Sequence, residues 1–246
     1  MNPTTTPLLG IVVALPMEAH AVKRGLAGLP PSLQSRFIVT VSGIGRQKAR
    51  QAAAALAEKT RLSALISVGF AGGLKKETPV GTLIWATEVW SVDATSKQPE
   101  RIEYSAFQDE KPLTLPPYVI GGPLLCVDQT MSSPAEKKAW GEGVRGGPAF
   151  SVVEMEAAGV AQVAVACRCR FAALKAVSDG PCDEIPPALL NLLNAEGKVR
   201  ATRLIKALFH GPLVWAALWR LAAGARAAQE SLEKVFCEGP ANGLWT

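Results

Sequence analysis

Apolar residues along this chain fall into short runs, separated by alanine-rich stretches whose polar residues recur at helical spacing. Leu8–Leu15 (LLGIVVAL) is almost uninterrupted, the pattern of a strand covered on both faces. Pro16 then opens a helix, and Glu18 lies in its first turn, where a carboxylate faces the positive end of the helix. Phe37–Val41 (FIVTV) predicts a second strand, which runs through SGIG into the helix RQKARQAAAAL. Leu65–Val68 predicts a third strand closing in the glycine turn GFAGG, and Thr82–Trp90 a fourth. Residues 94–118 are polar and proline-bearing and read as loop. Gly122–Val127 and Phe150–Val153 predict further strands, and Met155–Cys167 a helix. Phe171–Val177 (FAALKAV) is the last strand, with Ser-Asp-Gly as its closing turn, and the pattern beyond is helical to about residue 236.

Strands alternating with helices predict βαβ units and a largely parallel sheet, hence an α/β fold. No repeat or low-complexity linker divides the chain. The organisation expected is one domain over residues 1–246, with 187–236 a helical C-terminal extension.

Composition narrows the class. The 246 residues suffice for a self-sufficient core, and 48% hydrophobic against 19% charged residues excludes a disordered chain. A net charge of +5 favours anionic partners without requiring them. Two histidines and five cysteines, with no C-x-x-C pair, predict reduced thiols and no metal site. The start MNPTTTPLLGIVVALP lacks the marks of a signal peptide, and no run of about 18 apolar residues predicts a membrane span. The longest candidate, residues 207–219, is broken by His210, Gly211 and Pro212.

In parallel sheets, ligands bind beyond the carboxyl ends of the strands. Five suspicious stretches fall there: LPMEA, SGIGR, GFAGG, VEMEA and SDG. Gly69, Phe70, Ala71 and Gly72 form either an anion cradle or a tight turn, without the G-K-[ST] ending of a nucleotide loop. Gly43 carries the same ambiguity, and Arg46 beside it either reaches an anion or stays in solvent. Asp179, after Ser178, is a turn aspartate or a general acid. Glu154 and Glu156 flank Met155 at a strand-to-helix junction. A carboxylate accepts hydrogen bonds in pairs and suits a vicinal diol. One glutamate is therefore expected to grip a sugar and the other to support the junction. His20 and His210 are isolated, and no Ser-His-Asp or Cys-His pair is legible. Basic clusters with interleaved aromatics are absent from the first two-thirds of the chain, so no nucleic-acid partner is expected.

Taken in order, SGIG, VGFAGGL-x5-VG, VVEMEAAGVA and KAVSDG resemble the nucleoside phosphorylase and methylthioadenosine/adenosylhomocysteine nucleosidase superfamily over residues 8–180. The resemblance implies a three-layer α/β/α fold around a mostly parallel mixed sheet, and cleavage of a purine N-glycosidic bond. Asp179 then matches the acid that protonates adenine N7, and Glu156 the ribose-binding glutamate. Met155 matches the methionine packed on the sugar, and Glu18 the carboxylate near the attacking water. Glu154, Ser178, Gly43, Gly69, Phe70, Ala71 and Gly72 complete the candidate substrate-binding set, with Met131 and Ser132 in the region that would cover the base. Bacterial phosphorylases of this type place arginine where this chain has Ser67 and Glu18, and serine at Phe70. Water is thus favoured as nucleophile, inorganic phosphate remains the alternative co-substrate, and no cofactor is implied. Superfamily members form dimers or hexamers, so a homo-oligomer is expected.

The C-terminal third, from SDGPCDEIPPALLNLL through residue 235, resembles the hopanoid-associated phosphorylase branch, which acts on adenosylhopane. Leu204, Leu208, Leu213, Trp215, Leu218 and Trp219 would present an apolar surface. Lys198, Arg200, Arg203, Lys206, Arg220 and Arg226 would ring it with positive charge. That combination suits docking on an anionic bilayer; packing on the protein's own sheet or on a second subunit is the other reading. The expectation is a cytoplasmic enzyme, peripheral on the inner face of the membrane, releasing adenine from adenosylhopane. A soluble methylthioadenosine/adenosylhomocysteine nucleosidase and a non-catalytic nucleoside- or lipid-binding protein are the alternatives.

Overall fold

The structure is a computed structural model, which describes residues 8–92, 98–106, 115–143, 147–186, 189 and 212–239. Strand β1 (Leu9–Val13) is buried along its whole length, as its apolar run predicts. Alternate side chains enter opposite layers. Ile11 and Val13 join one core with helix α1 (Pro16–Ala27) and the long helix α6 (Pro212–Glu238). Val12 joins the other, with α3 (Arg46–Lys59) and α5 (Ala157–Cys167). A short helix α2 (Pro31–Gln34) leads into β2 (Phe37–Val41), which pairs in parallel with β1. The architecture is the expected helix–sheet–helix sandwich.

The sheet is more closed than alternation alone implies. β3 (Ala64–Gly73) runs parallel to β1 and to β8 (Arg170–Asp179). β8 pairs antiparallel with β4 (Leu83–Val92), and β4 parallel with β6 (Val119–Cys126). β6 pairs with β7 (Val152–Glu154), which returns antiparallel to Gly72 and Gly73 of β3. β3, β8, β4, β6 and β7 therefore close a ring of pairings. β5 (Pro99–Arg101), a strand inside the stretch expected to be loop, lies antiparallel on β4.

Two expected turns are strand. GFAGG continues β3, and Ser178 and Asp179 continue β8. Glycine suggested a turn, but GFAGG has ladder partners in β7 and β8, and Asp179 has one in Gly72 of β3, which satisfy backbone N–H and C=O groups when extended. The register shifts between Ala71 and Gly72, a bulge that bends β3 into the ring. Helix α5 begins at Ala157, not Met155, because Glu154 accepts the N–H groups of Glu156 and Ala157 and sets the helix start there. Helix α4 (Pro134–Glu142) is not announced by the apolar pattern.

Helix α6 has two characters. Its C-terminal half buries Ala228, Leu232, Val235 and Phe236 against the α1 side of the sheet. Gly25 of α1 permits that approach, since a Cβ there would stand 2.7 Å from Phe236 Cβ. Gly224 likewise lets α6 cross directly over the Ser178 carbonyl. In the N-terminal half, Ala217 is buried, whereas Trp215 and Trp219 are 50% and 78% exposed. Lys198, Arg200, Arg203, Leu204, Lys206, Leu208 and the side chain of Leu213 lie outside the described residues, as does most of 187–211. Among the described residues no helix is long and apolar enough to cross a membrane.

The two halves of α6 should respond differently to truncation. Leu232→Ala is expected to cost about 2–5 kcal/mol, and Trp219→Ala less than about 0.5 kcal/mol, read as shifts in urea midpoint.

Candidate active site

The carboxyl ends of β1, β3 and β8, together with β7 and the start of α5, converge on a cavity of about 260 Å³. Glu18, Glu154, Glu156, Asp179, Met155 and Ser178 all reach its wall. Phe70, Ala71 and Gly72 of β3 form another part of it. The remaining wall is largely apolar and includes Ile44, Val127, Val153 and Ile185; Met131 joins it and Ser132 does not. Gly43 and Gly69 are not part of the wall. Gly43 makes the turn into α3 with φ of 84°, in the left-handed region that favours glycine.

Glu18 is buried at the third position of α1. Its Oε2 accepts the N–H groups of Ala14 (2.9 Å) and Leu15 (2.8 Å), and Oε1 that of Phe70 (2.8 Å). The carboxylate thus stitches α1 to β3. Gly69 makes room for it, since a Cβ there would sit 2.7 Å from Oε1. Burial pushes the Glu18 carboxyl above its ordinary range; Lys175 and the three N–H groups pull it only part of the way back.

Lys175, fully buried on β8, lies beneath the floor. Its Nζ pairs with Glu154 Oε2 at 2.8 Å and donates to Ser67 Oγ at 3.0 Å. Burial opposes its charge, but Glu154, Glu156 and Glu18 outweigh burial and raise its pKa. Glu154 is committed to Lys175 and to the α5 N-terminus. It is the glutamate that supports the junction, and its carboxylate is not left for a sugar. Glu156 is the other. Its Oε1 accepts the Gly45 N–H at 2.8 Å, and burial followed by the nearby Glu154 charge pushes its pKa up to about 8.

Asp179 ends β8. Its Oδ1 accepts the Ser178 hydroxyl at 2.9 Å, and its Oδ2 meets Lys137 Nζ at 2.5 Å. Gly72, its partner on the neighbouring strand β3, leaves it room, since a Cβ there would come within 3.1 Å of Oδ2. The sequence reading missed Lys137. Its signal is phase: it precedes buried Trp140 by three positions on α4 and so shares that residue's inward face, whereas Lys138 beside it is 73% exposed. Trp140 in turn packs edge-on against Phe150 at 5.9 Å, which seats the helix.

The cations considered as phosphate ligands are engaged elsewhere. Lys175 is tied as above, and Arg46 donates to the Val92 carbonyl (2.9 Å) and pairs with Asp128 (3.0 Å). The cavity wall itself carries carboxyl groups and apolar side chains. Such a lining accepts hydrogen bonds from hydroxyls and favours a ligand that gains positive charge.

Residues 32–209 match the family model described as the phosphorylase superfamily. No curated protein matches the chain. Among solved structures, the fold is similar to a futalosine hydrolase mutant of Helicobacter pylori strain 26695, at TM-score 0.66 and 16% identity, covering 97% of this chain and 100% of that one. It is also similar to 5'-methylthioadenosine/S-adenosylhomocysteine nucleosidase from Helicobacter pylori with butyl-thio-DADMe-Immucillin-A, at TM-score 0.66 and 17% identity, covering 97% and 99%. The enzyme of the same name from Neisseria meningitidis, in complex with methylthio-immucillin-A, aligns at TM-score 0.62 and 17% identity, covering 95% and 100%. At these identities the likeness is one of fold.

The raised Glu156 pKa has a signed consequence. Between its ordinary value of 4.5 and about 8, the folded protein keeps a proton that the unfolded chain has released, so stability falls as pH rises through that window. Urea unfolding across it is expected to show the decline, and Glu156→Gln to make it shallower.

Proposed function

The chain belongs to the phosphorylase superfamily, and from that premise we propose that it cleaves the N-glycosidic bond of a purine nucleoside, releasing adenine from adenosylhopane. The observation that carries this reading is the meeting of Asp179, Glu156 and Glu18 around one cavity. Glu156 holds the ribose diol, and Met155 packs on the sugar. Asp179 acts from its protonated form and passes that proton to N7, becoming the carboxylate that pairs with Lys137, so the C1′–N9 bond breaks with its electron pair leaving on a neutral base. C1′ passes through an oxocarbenium-like state, which the surrounding carboxylates stabilise. Water adds to C1′ and gives its proton to Glu18, whose raised pKa makes it the stronger base. The carboxyl-rich wall and the bound state of Lys175 and Arg46 support water over phosphate.

The apolar part of the substrate is assigned to the outer half of α6. Trp215 and Trp219 are exposed there, while Arg220 and Arg226 on the same helix are paired with Asp183 and Glu230. Tryptophan suits the boundary between lipid and water, its ring apolar and its N–H polar. Gly224 brings this helix onto Ser178, so a docked bilayer would lie at one side of the cavity. The structural likeness to nucleosidases supports a second substrate, methylthioadenosine, free of any lipid.

Adenine release from adenosylhopane and from methylthioadenosine, each with and without phosphate, tests the reading. Faster release from the lipid nucleoside without phosphate is expected; equal rates would remove the lipid assignment, and a strict phosphate requirement would remove water. Asp179→Asn is expected to lower kcat by about 10²–10⁴-fold. Co-sedimentation with anionic vesicles at low salt is expected for the native protein and to weaken in the Trp215→Ala/Trp219→Ala variant.

A further inference from the structure

Lys137 takes no part in the chemistry just described and does not reach the cavity, yet it is completely buried and points at the proton donor. Its three ammonium hydrogens have three acceptors: Asp179 Oδ2 at 2.5 Å, the Gly180 carbonyl at 3.1 Å and the Asp183 carbonyl at 3.0 Å. The latter two belong to the segment that follows β8. Asp183 braces that segment in turn. One carboxylate oxygen accepts the Gly180 N–H at 2.7 Å, and the other pairs with Arg220 of α6 at 2.8 Å.

A buried ion pair is a poor stabiliser, because the cost of removing both charges from water roughly cancels their attraction. Apolar side chains of similar volume would hold α4 to β8 as well. Stability therefore does not account for an ammonium here. Direction does. Asp179 is the last residue of its strand, and the polar partners of its two carboxylate oxygens are Lys137 and Ser178. Lys137 fixes one oxygen from below and Ser178 fixes the other from the side, leaving a single orientation toward the cavity.

Building on the nucleoside-cleavage reading, we infer that Lys137 is a positioning residue for the proton donor, dedicated to leaving groups that require protonation. The distinction from a purely structural lysine lies in the leaving group. A misaimed acid slows departure of adenine, which must be protonated, and has no effect on para-nitrophenolate, which leaves as a stable anion. A distorted cavity slows both.

The test compares wild type, Lys137→Met and Lys137→Arg on an adenine nucleoside and on para-nitrophenyl riboside. For adenine release, Lys137→Met is expected to lose about 10²-fold in kcat, with KM within about twofold of wild type. Turnover of para-nitrophenyl riboside should be unchanged, and Lys137→Arg should recover part of the loss. Equal losses on both ribosides, a loss carried by KM, or undiminished adenine release would each overturn the proposal. If Lys137→Met does not fold, Asp183→Ala, which releases the segment carrying two of the three acceptors, should give the same split in milder form. Its absence there would be equally decisive. A wild-type protein that releases no base from any purine nucleoside would instead remove the nucleoside-cleavage reading, and Lys137's role with it.

Discussion

The ion pair between Lys175 and Glu154 is the constraint on which the site depends. Both side chains are almost wholly removed from water, so each needs the other, and neither can move without leaving an uncompensated charge. Lys175 lies mid-strand on β8 and Glu154 ends β7. Their contact crosses the ring and fixes where α5 begins, because Glu154 also receives the first free N–H groups of that helix. Met155 and Glu156 are aimed at the cavity by this junction. Ser67 is then the small hydroxyl partner that lets the ammonium settle beneath the floor.

Ring closure supplies the rest. An open sheet would bring β1, β3 and β8 together but leave β7 at a distance. The bulge in β3 lets Gly72 and Gly73 pair with β7, so that acidic groups from α1, the β7–α5 junction and β8 face a common space. Burying carboxyl groups close together raises the affinity of Glu18 and Glu156 for protons. That is a cost to stability of the kind found where a fold keeps groups for proton transfer.

Much of this was legible in the sequence. β1 and β2, the start of α1, and the order of motifs are strong local signals, because buried strands and proline-opened helices depend on neighbouring residues. The candidate acids were found because charge at a strand end is conspicuous. What stayed hidden were features set by distant partners. GFAGG is strand because β7 and β8 supply hydrogen bonds that no local window contains. The division of labour between Glu154 and Glu156 follows from Lys175, well removed in sequence. Lys137 looked like any lysine in a polar stretch, and only helical phase relative to Trp140 separates it from its exposed neighbour.

Gly69 carries one last implication. The absence of a side chain there is what gives the Glu18 carboxylate its seat, so the two positions form a lock whose halves cannot be exchanged independently. A descendant that swapped this acid for a bulkier or cationic group would have to rebuild the strand opposite. Among distant relatives, the size of the residue at that strand position should therefore tell what kind of side chain faces it, even where the surrounding sequence has drifted beyond comparison.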